Sequence, residues 1–224
     1  MPLIELDHVS HAFADGVGSR LVVDDVTLTL TEQRIGVIGA NGSGKSTFAR
    51  MLNALVIPAT GKVRVDGLDT ASEARAVRRR VGFCFTDPDA QIVMPTVAED
   101  IAFGLRRRRL APAEVAARVD AALASYGLDA HRDHPAHLLS GGQKQLLALA
   151  SVLVTEPDLV VMDEPTTLLD LANTERIRTV VRGLAQQVVL VTHHLDPVEV
   201  VDEGRLAFDG SPGTAVAHYR ALVR

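Results

Sequence analysis

A glycine-rich segment that ends in lysine and serine has the clearest chemical capacity in this sequence. Residues 39–46, Gly-Ala-Asn-Gly-Ser-Gly-Lys-Ser, fit the pattern of a phosphate-binding loop. They lie between a predicted strand and a predicted helix, a context that an ordinary glycine-rich turn would not need. Glycines let the backbone turn so that successive N–H groups face phosphate oxygens, and the helix start adds a positive dipole end. Lys45 can supply a charge for the β- and γ-phosphates, and the Ser46 hydroxyl can bind Mg²⁺.

A pair of carboxylates at the end of an apolar segment is the second candidate. Residues 159–162 are continuously apolar and are followed by Asp163 and Glu164. In enzymes with a phosphate-binding loop such an aspartate holds Mg²⁺, and the adjacent glutamate can orient or deprotonate the attacking water. A strand that ends in Asp-Glu is common and can be a structural loop. The upstream loop over 39–46 favours the functional interpretation.

The third candidate is the segment 139–145, Leu-Ser-Gly-Gly-Gln-Lys-Gln. A helix capped by Ser140 and followed by two glycines would offer a second phosphate-binding N-terminus, although a plain Ser-Gly-Gly helix start is the alternative. The segment resembles the signature motif of ABC ATPases, and its place between the loop and the carboxylates matches the order in that family. The resemblance implies that these residues bind the γ-phosphate held by the opposite subunit of a dimer.

The resemblance extends over essentially the whole chain. Phe13 lies where the family has an aromatic residue that stacks on adenine, although a lone phenylalanine is more often part of a core. Residues 167–170 resemble the loop that crosses the dimer interface. His193 follows an apolar strand, where the family has a histidine that contacts the γ-phosphate, and its neighbour His194 matches a position usually held by Asp or His.

One position departs from the family pattern. The family has a glutamine after the strand 83–85 that completes the shell of Mg²⁺ and water and senses the transmembrane partner, whereas this sequence has Thr86. Threonine keeps a hydroxyl but is shorter, so we expect a water-mediated contact. Gln91 lies five residues further on and is not expected to replace the glutamine.

The site implied by these motifs has three groups of residues. The catalytic residues are Glu164, His193 and Lys45. The nucleotide-binding residues are Phe13, Gly39, Ala40, Asn41, Gly42, Ser43, Gly44, Lys45, Ser46, Thr47, Thr86, Ser140, Gly141, Gly142 and Gln143. The Mg²⁺ ligands are Ser46, Asp163 and Thr86. The implied cofactors are ATP and Mg²⁺.

Hydrophobic periodicity predicts the elements that position these residues. Apolar and polar residues alternate over 25–30, as in a half-buried strand, whereas 159–162 and 188–191 are continuously apolar, as in a covered parallel sheet. Helical spacing alternates with these strands, which predicts an α/β core. The helical segments are 45–55, 97–126 and 173–185, and Pro112 suits a first helical position within the second of them.

The resemblance makes the fold class more specific. It implies a P-loop NTPase core with a RecA-like mixed sheet and an N-terminal antiparallel β portion, together with a helical ABC-specific subdomain. We expect a single ABC ATPase domain over 1–224. Its α/β core would cover about 1–89 and 151–224, and its helical subdomain about 90–150.

Composition limits the function classes. The 224 residues are 47% hydrophobic and 23% charged, which is typical of a soluble globular protein that buries a sizeable core. The net charge of −5 argues against a nucleic-acid partner. Cys84, the single cysteine, lies in an apolar segment and is expected to be a core residue. No signal-peptide pattern or run of about 18 apolar residues is present, so we expect a cytosolic protein that needs a partner for any membrane role.

Two stretches point to one group of ABC ATPases. The energy-coupling-factor ATPases, which drive vitamin and metal uptake into prokaryotes, are similar to this sequence in two places. The first is residues 87–91 with 96–105, and the second is the segment 164–170. Members often carry a C-terminal extension. A sequence that ends at Arg224 resembles the shorter ATPases of biotin and cobalt systems, with biotin slightly preferred.

The resemblance also implies partners and a location. The chain would pair with a second ATPase subunit, as a homodimer or with a close paralogue. It would bind a transmembrane coupling subunit and a substrate-binding membrane subunit at the cytoplasmic side of a bacterial or archaeal membrane, as a peripheral protein. The apolar residues 92–94 lie in a predicted loop, and we expect 86–95 to dock a cytoplasmic helix of the transmembrane partner. The alternative is that 92–94 tuck beneath the helical insertion.

The sequence leaves two other functions open. One is a non-transport ABC ATPase of DNA repair or protein-assembly type. Repair members insert long coiled coils, but the insertion has no sustained heptads. Translation-type members usually carry two ATPase domains in one chain, whereas this sequence has one phosphate-binding loop. A small-molecule P-loop kinase would not need the segment 139–145. The transporter ATPase is therefore the main hypothesis.

Overall fold

The computed structural model describes residues 1–14, 16, 18–167, 169–192, 199–202 and 205–208. The chain divides into two compact units, and each is described by itself. The first unit consists of the described residues of Met1–Phe83, Asp158–Glu164 and Ala185–Arg224, and the second of Cys84–Pro157 and Pro165–Leu184. The predicted organisation as a single domain with a helical subdomain at about 90–150 stays a prediction.

The strands form two sheets. They are β1 (Ile4–Ala14), β2 (Ser19–Leu30), β3 (Arg34–Ile38), β4 (Thr60–Val65), β5 (Leu68–Asp69), β6 (Val81–Cys84), β7 (Leu159–Asp163), β8 (Gln187–Val191), β9 (Glu199–Asp202) and β10 (Arg205–Phe208). Among the described residues, one sheet is antiparallel with the order β2-β1-β4-β5, and the other has the order β10-β9-β3-β8-β7-β6. The antiparallel sheet and the mixed second sheet confirm the predicted α/β fold class.

The second sheet carries the strands that matter for chemistry. β8 pairs in parallel with β3 on one side and with β7 on the other. All five residues of β7 are buried, which is the pattern of a strand covered on both faces. The carboxyl ends of these three strands therefore lie together at one edge of the sheet.

The helices begin at recognisable sequence signals. They are α1 (Lys45–Leu52), α2 (Ala74–Arg80), α3 (Val97–Leu105), α4 (Pro112–Tyr126), α5 (Gly141–Leu153) and α6 (Leu171–Gly183). Thr96 and Glu99 form a capping box at α3, and Asp170 caps α6 through a hydrogen bond from Asn173 N–H. The helical pattern over 97–126 is two helices, because Ala111 is extended before Pro112, as residues that precede proline prefer.

The position of Cys84 agrees with the prediction of a core residue. Its side chain is fully buried. Burial raises the pKa of the Cys84 thiol to about 12. The thiol is therefore protonated at neutral pH and is a poor nucleophile.

Candidate nucleotide-binding and hydrolysis site

The phosphate-binding loop of the first unit joins the end of β3 to the start of α1. Gly44 has a φ of 96°, in the left-handed region. A Cβ at this position would lie 2.2 Å from the carbonyl oxygen of Val22 in β2. Only glycine satisfies both constraints, so Gly44 is required by the close approach of β2 as well as by its own backbone.

The start of α1 is suited to an anion. The helix has no side-chain cap and no acidic residue in its first turn. The Ser43 hydroxyl is buried and has no hydrogen-bond partner in the protein. Unpaired N–H groups and the helix dipole favour negative charge here, which fits the phosphates of a nucleotide.

Lys45 is drawn into the loop rather than into solvent. Its side chain is buried, and Nζ donates to the carbonyl oxygens of Gly39 at 2.8 Å and Ala40 at 2.9 Å. Burial lowers the pKa of Lys45, whereas the charges of Glu164 and Asp163 act in the opposite direction. The ammonium group is thus placed between the loop and the two carboxylates, all within the first unit.

Asp163 ends β7 and faces α1. The Ser46 hydroxyl donates to Oδ1 of Asp163 at 2.9 Å, and Nη2 of Arg50 lies 3.8 Å from Oδ2. The Asp163 side chain is only 1% exposed. Burial raises the pKa of Asp163, against the lowering effects of the Ser46 hydrogen bond and the Arg50 charge.

The donor set around Asp163 fits Mg²⁺. A hydroxyl and a carboxylate oxygen are the hard ligands that this ion prefers, with the remaining positions taken by phosphate and water. Among the residues that the structure describes, no group of three or more His, Cys, Asp or Glu side chains could hold a metal.

Glu164 follows at the edge of the sheet. Its N–H donates to the carbonyl oxygen of Val191 in β8 at 2.9 Å, and its φ is 48°. A positive φ is uncommon for a residue other than glycine and is often found at functional sites. The backbone hydrogen bond holds Glu164 beside Asp163 at the end of the parallel strands.

The start of α5 in the second unit has a capping box, which includes the cap predicted at Ser140. Ser140 Oγ accepts from Gln143 N–H, and Gln143 Oε1 accepts from Ser140 N–H. A Cβ at Gly142 would lie 2.3 Å from the Asn173 side chain, whereas one at Gly141 would meet nothing within 4 Å. The two glycines therefore have different reasons to be glycine. Gly142 makes room for α6, and Gly141 leaves open space above the helix.

The loop after β6 is tied into the second unit by Gln91. Its Oε1 accepts from Phe85 N–H at 3.0 Å, and its Nε2 donates to the carbonyl oxygen of Ala148 in α5 at 2.8 Å. Both polar atoms of the amide thus hydrogen-bond to backbone groups, and one of these groups, Phe85 N–H, is next to Thr86. This agrees with the expectation that Gln91 does not replace the missing glutamine, and the role of Thr86 stays a prediction.

Phe13 lies near the end of β1. The residue is 46% exposed, and its ring packs edge-on against His11, with 4.6 Å between the ring centroids. Phe13 pairs across the sheet with Arg20, whose guanidinium lies 3.5 Å from the carbonyl oxygen of Gly42 in the loop. Phe13 is therefore not a core residue, and stacking on adenine stays a prediction.

Several expected positions lie outside the described residues. They are His193, His194 and, within the loop 167–170, Leu168. The structure adds four residues that the sequence motifs did not indicate: Arg50 beside Asp163, Arg20 beside the loop, His131 beside Gln143 and Asn173 beside Gly142. No local pattern marks them, because each meets its neighbour through a tertiary contact within its own unit.

A phosphate-binding loop between a parallel strand and a helix, with two carboxylates at the end of another parallel strand of the same sheet, defines a P-loop nucleotide-binding protein. The family model described as ABC transporter matches residues 23–167. The chain belongs to the ABC transporter family. It is an ATP-binding component of that family, an ATPase that drives transport. These findings do not favour the DNA repair, protein-assembly or kinase alternatives.

Three relatives cover most of the chain. A Deinococcus radiodurans protein, named as an ABC transporter ATP-binding protein, is 54% identical over 97% of each chain. The biotin transport ATP-binding protein BioM of Rhizobium etli is 47% identical over 92% of this chain and 94% of its own. An energy-coupling factor transporter ATP-binding protein, EcfA1 of Symbiobacterium thermophilum, is 44% identical over 94% of this chain and 80% of its own.

Two solved structures have a similar fold. The cbiO1 protein of Clostridium perfringens, part of the ABC transporter complex cbiONQ, has a TM-score of 0.81 and 27% identity over 98% of this chain and 92% of its own. The ATP-binding cassette MJ0796, a dimer bound to ADP and phosphate, has a TM-score of 0.84 and 25% identity over 93% of this chain and 98% of its own. Within the described part of this chain, no helix combines the length and apolar character needed to cross a bilayer.

Proposed function

We propose that this chain is the Mg²⁺-dependent ATPase of an energy-coupling-factor importer that takes up a vitamin or a metal, with biotin preferred over cobalt. The observation that carries the ATPase is the contact between the Ser46 hydroxyl and the Asp163 carboxylate, with Lys45 held in the same loop. The likeness to BioM and EcfA1 supports the type of importer and the preference for biotin.

Within the first unit each side chain has a separate task. Ser46 and Asp163 would hold Mg²⁺, which neutralises charge on the β- and γ-phosphates. Lys45 would release its hydrogen bonds to the loop carbonyls and bind the phosphates. Glu164 would take the proton of the attacking water, since a carboxylate at this place can act as a general base. His193 would contact the γ-phosphate.

The segment 140–143 would act on the nucleotide of a second ATPase subunit. Its capping box presents the start of α5, where unpaired N–H groups favour phosphate. The dimeric state of MJ0796 supports a two-subunit arrangement. Each ATP would then lie between Lys45 of one subunit and Ser140 of the other, and the second subunit is a copy of this chain or a close paralogue.

The loop 86–95 would dock a cytoplasmic helix of the transmembrane coupling subunit. Val93 is 60% exposed, which supports docking over the alternative that this side chain tucks beneath the helices. The buried Asp100 holds the backbone of this loop, because it accepts hydrogen bonds from Val93 N–H and Met94 N–H. Asp100 also accepts a hydrogen bond from the Ser151 hydroxyl. The chain would thus work as a peripheral protein at the cytoplasmic face of the membrane, next to a separate substrate-binding membrane subunit.

Reconstitution tests this function directly. The tagged chain is copurified from its host membranes, the associated membrane subunits are placed in vesicles, and ATP-dependent uptake of labelled biotin is compared with uptake of cobalt. We expect biotin uptake that is lost in the Glu164→Gln variant. Uptake of cobalt alone would overturn the preferred substrate, and copurification with no membrane protein would overturn the transporter assignment.

A further inference from the structure

His131 lies against the first turn of α5, although no motif in the sequence includes it. Its Nε2 is 2.8 Å from Nε2 of Gln143. Gln143 is the residue of the capping box whose Oε1 accepts from Ser140 N–H at 2.9 Å. The Gln143 side chain therefore joins the imidazole of His131 to the backbone of Ser140.

The orientation of the Gln143 amide determines which ring atom can pair with it. The backbone N–H of Ser140 can only donate, so the amide oxygen must face Ser140 and the amide NH₂ must face His131. Because an NH₂ group only donates, Nε2 of His131 must accept. The imidazole is then neutral and carries its proton on Nδ1.

The surroundings restrict the ring in this position. The His134 ring packs edge-on against the His131 ring, with 5.5 Å between centroids. The backbone of this segment is also held, because His131 N–H donates to the carbonyl oxygen of Leu128 and His134 N–H donates to that of His131. His131 is thus a fixed acceptor rather than a mobile surface side chain.

We infer that neutral His131 is a positioning residue for ATP hydrolysis. It holds the Gln143 side chain across the start of α5 and thereby sets the conformation of Ser140 and the two glycines that follow. The inference rests on the proposed function, in which residues 140–143 complete the ATP site of a second subunit. Without the acceptor at His131, Gln143 is free to rotate and Ser140 N–H loses a defined partner, which weakens the preorganisation of the motif.

The test measures ATP-driven dimerisation by sedimentation at increasing ATP concentration. The parent protein is the full chain that carries Glu164→Gln, and each His131 variant is made in that parent. His131→Phe keeps a planar ring and removes the acceptor, and we expect it to raise the ATP concentration for half-maximal dimerisation at least about fivefold. His131→Gln can place an acceptor oxygen near the position of Nε2 and should recover most of this loss. His131→Lys places a permanent donor against the amide and should be at least as impaired as His131→Phe.

Two controls separate positioning from folding. His137→Phe changes an exposed histidine in the same segment and should match the parent. Affinity of the single chain for a fluorescent ATP analogue should stay within about twofold in the His131→Phe variant, because the loop, Lys45 and Asp163 lie in the first unit. In the chain with native Glu164, the same variant should lower kcat for ATP hydrolysis with little change in KM.

Each contrary result has a defined meaning. A parent that does not dimerise with ATP contradicts the proposed function, and the inference falls with it. If the parent dimerises with ATP and the His131→Phe variant dimerises at the same ATP concentration, the inference alone is overturned. Equal loss of analogue binding and dimerisation in His131→Phe, with no recovery in His131→Gln, assigns His131 to folding and also overturns the inference.

Discussion

The Ser46 hydroxyl and the Asp163 carboxylate are 2.9 Å apart, although 117 positions separate them in the chain. Ser46 is in the first turn of α1, and Asp163 ends β7. The contact joins the helix start that we propose binds phosphate to the carboxylate that we propose binds Mg²⁺. Neither segment by itself would bring these two groups together.

Asp163→Asn should separate function from stability. Burial raises the pKa of Asp163, so the folded chain binds this proton more tightly than the unfolded chain. The carboxyl therefore adds stability below the ordinary aspartate pKa of about 3.9, and this contribution is lost as the pH rises through the higher folded pKa. Asparagine can still accept from Ser46 without the buried charge. We expect a Tm at pH 7.5 that is equal or higher by about 2–4 °C, with loss of Mg²⁺-dependent ATPase activity.

Melting temperatures of the native chain and of Asp163→Asn, measured over a range of pH, check that prediction. The difference in Tm between the two proteins should narrow as the pH is lowered, because Asp163 becomes protonated in the native protein. Thermal melts without nucleotide measure it. A clearly lower Tm for Asp163→Asn at pH 7.5 would show that the ionised carboxylate stabilises the fold.

Glu164→Gln should bind ATP and hydrolyse it at least about 100-fold more slowly, since an amide cannot take the proton of water. Steady-state phosphate release and ATP-dependent sedimentation measure the two effects. Glu156→Gln is a matched control, because Glu156 also has a positive φ, 49°, and lies in the second unit. Near-normal turnover in Glu164→Gln would show that Glu164 is not the general base.

Lys45→Ala should lose ATP affinity more than about tenfold, because it removes the charge nearest the β- and γ-phosphates. The exposed Lys62 of β4 gives the control, and Lys62→Ala should bind as the native chain does. Titration with a fluorescent ATP analogue compares the two variants. Unchanged affinity in Lys45→Ala would mean that Lys45 stays with the carbonyls of Gly39 and Ala40 when nucleotide binds.

Gly142→Ala and Gly141→Ala should fail for different reasons. The alanine at 142 would press on Asn173, so we expect lower stability that Asn173→Ala partly restores. The alanine at 141 meets open space in this chain, so Tm should be unchanged while ATP-driven dimerisation falls. Thermal melts of the native chain, Gly142→Ala, Asn173→Ala and the double variant form a complete double-mutant cycle. Thermal melts and sedimentation of Gly141→Ala test the other position. Full dimerisation of Gly141→Ala would show that this position does not face a partner's nucleotide.

Val93→Asp should leave ATP binding by the isolated chain intact and reduce copurification with the membrane subunits. The side chain is already largely exposed, so a charge costs the fold little, whereas it would be buried in a docked complex. Val93→Thr keeps the shape without a charge and should assemble nearly as the native chain does. Normal assembly and transport by Val93→Asp would place the docking surface elsewhere.

Short-range patterns were enough to predict much of this protein. The loop over 39–46, the apolar strand before Asp163 and the start of α5 at Ser140 are each specified by a few neighbouring residues, through turn geometry, periodicity and capping. Helical periodicity over 97–126 predicted helix, and Pro112 at a first helical position predicted the start of α4, but no residue indicated that α3 ends at Leu105.

The tertiary structure alone decided which distant residues meet. Ser46 reaches Asp163 because β3 and β7 flank β8, and Asn173 reaches Gly142 because α6 packs near the start of α5. His131 contacts Gln143 only through the packing of the segment that precedes α5, and no motif includes it. The sequence determines each element locally because propensity and capping act over a few residues. Contacts between elements depend on how whole faces pack, and no local pattern contains that information.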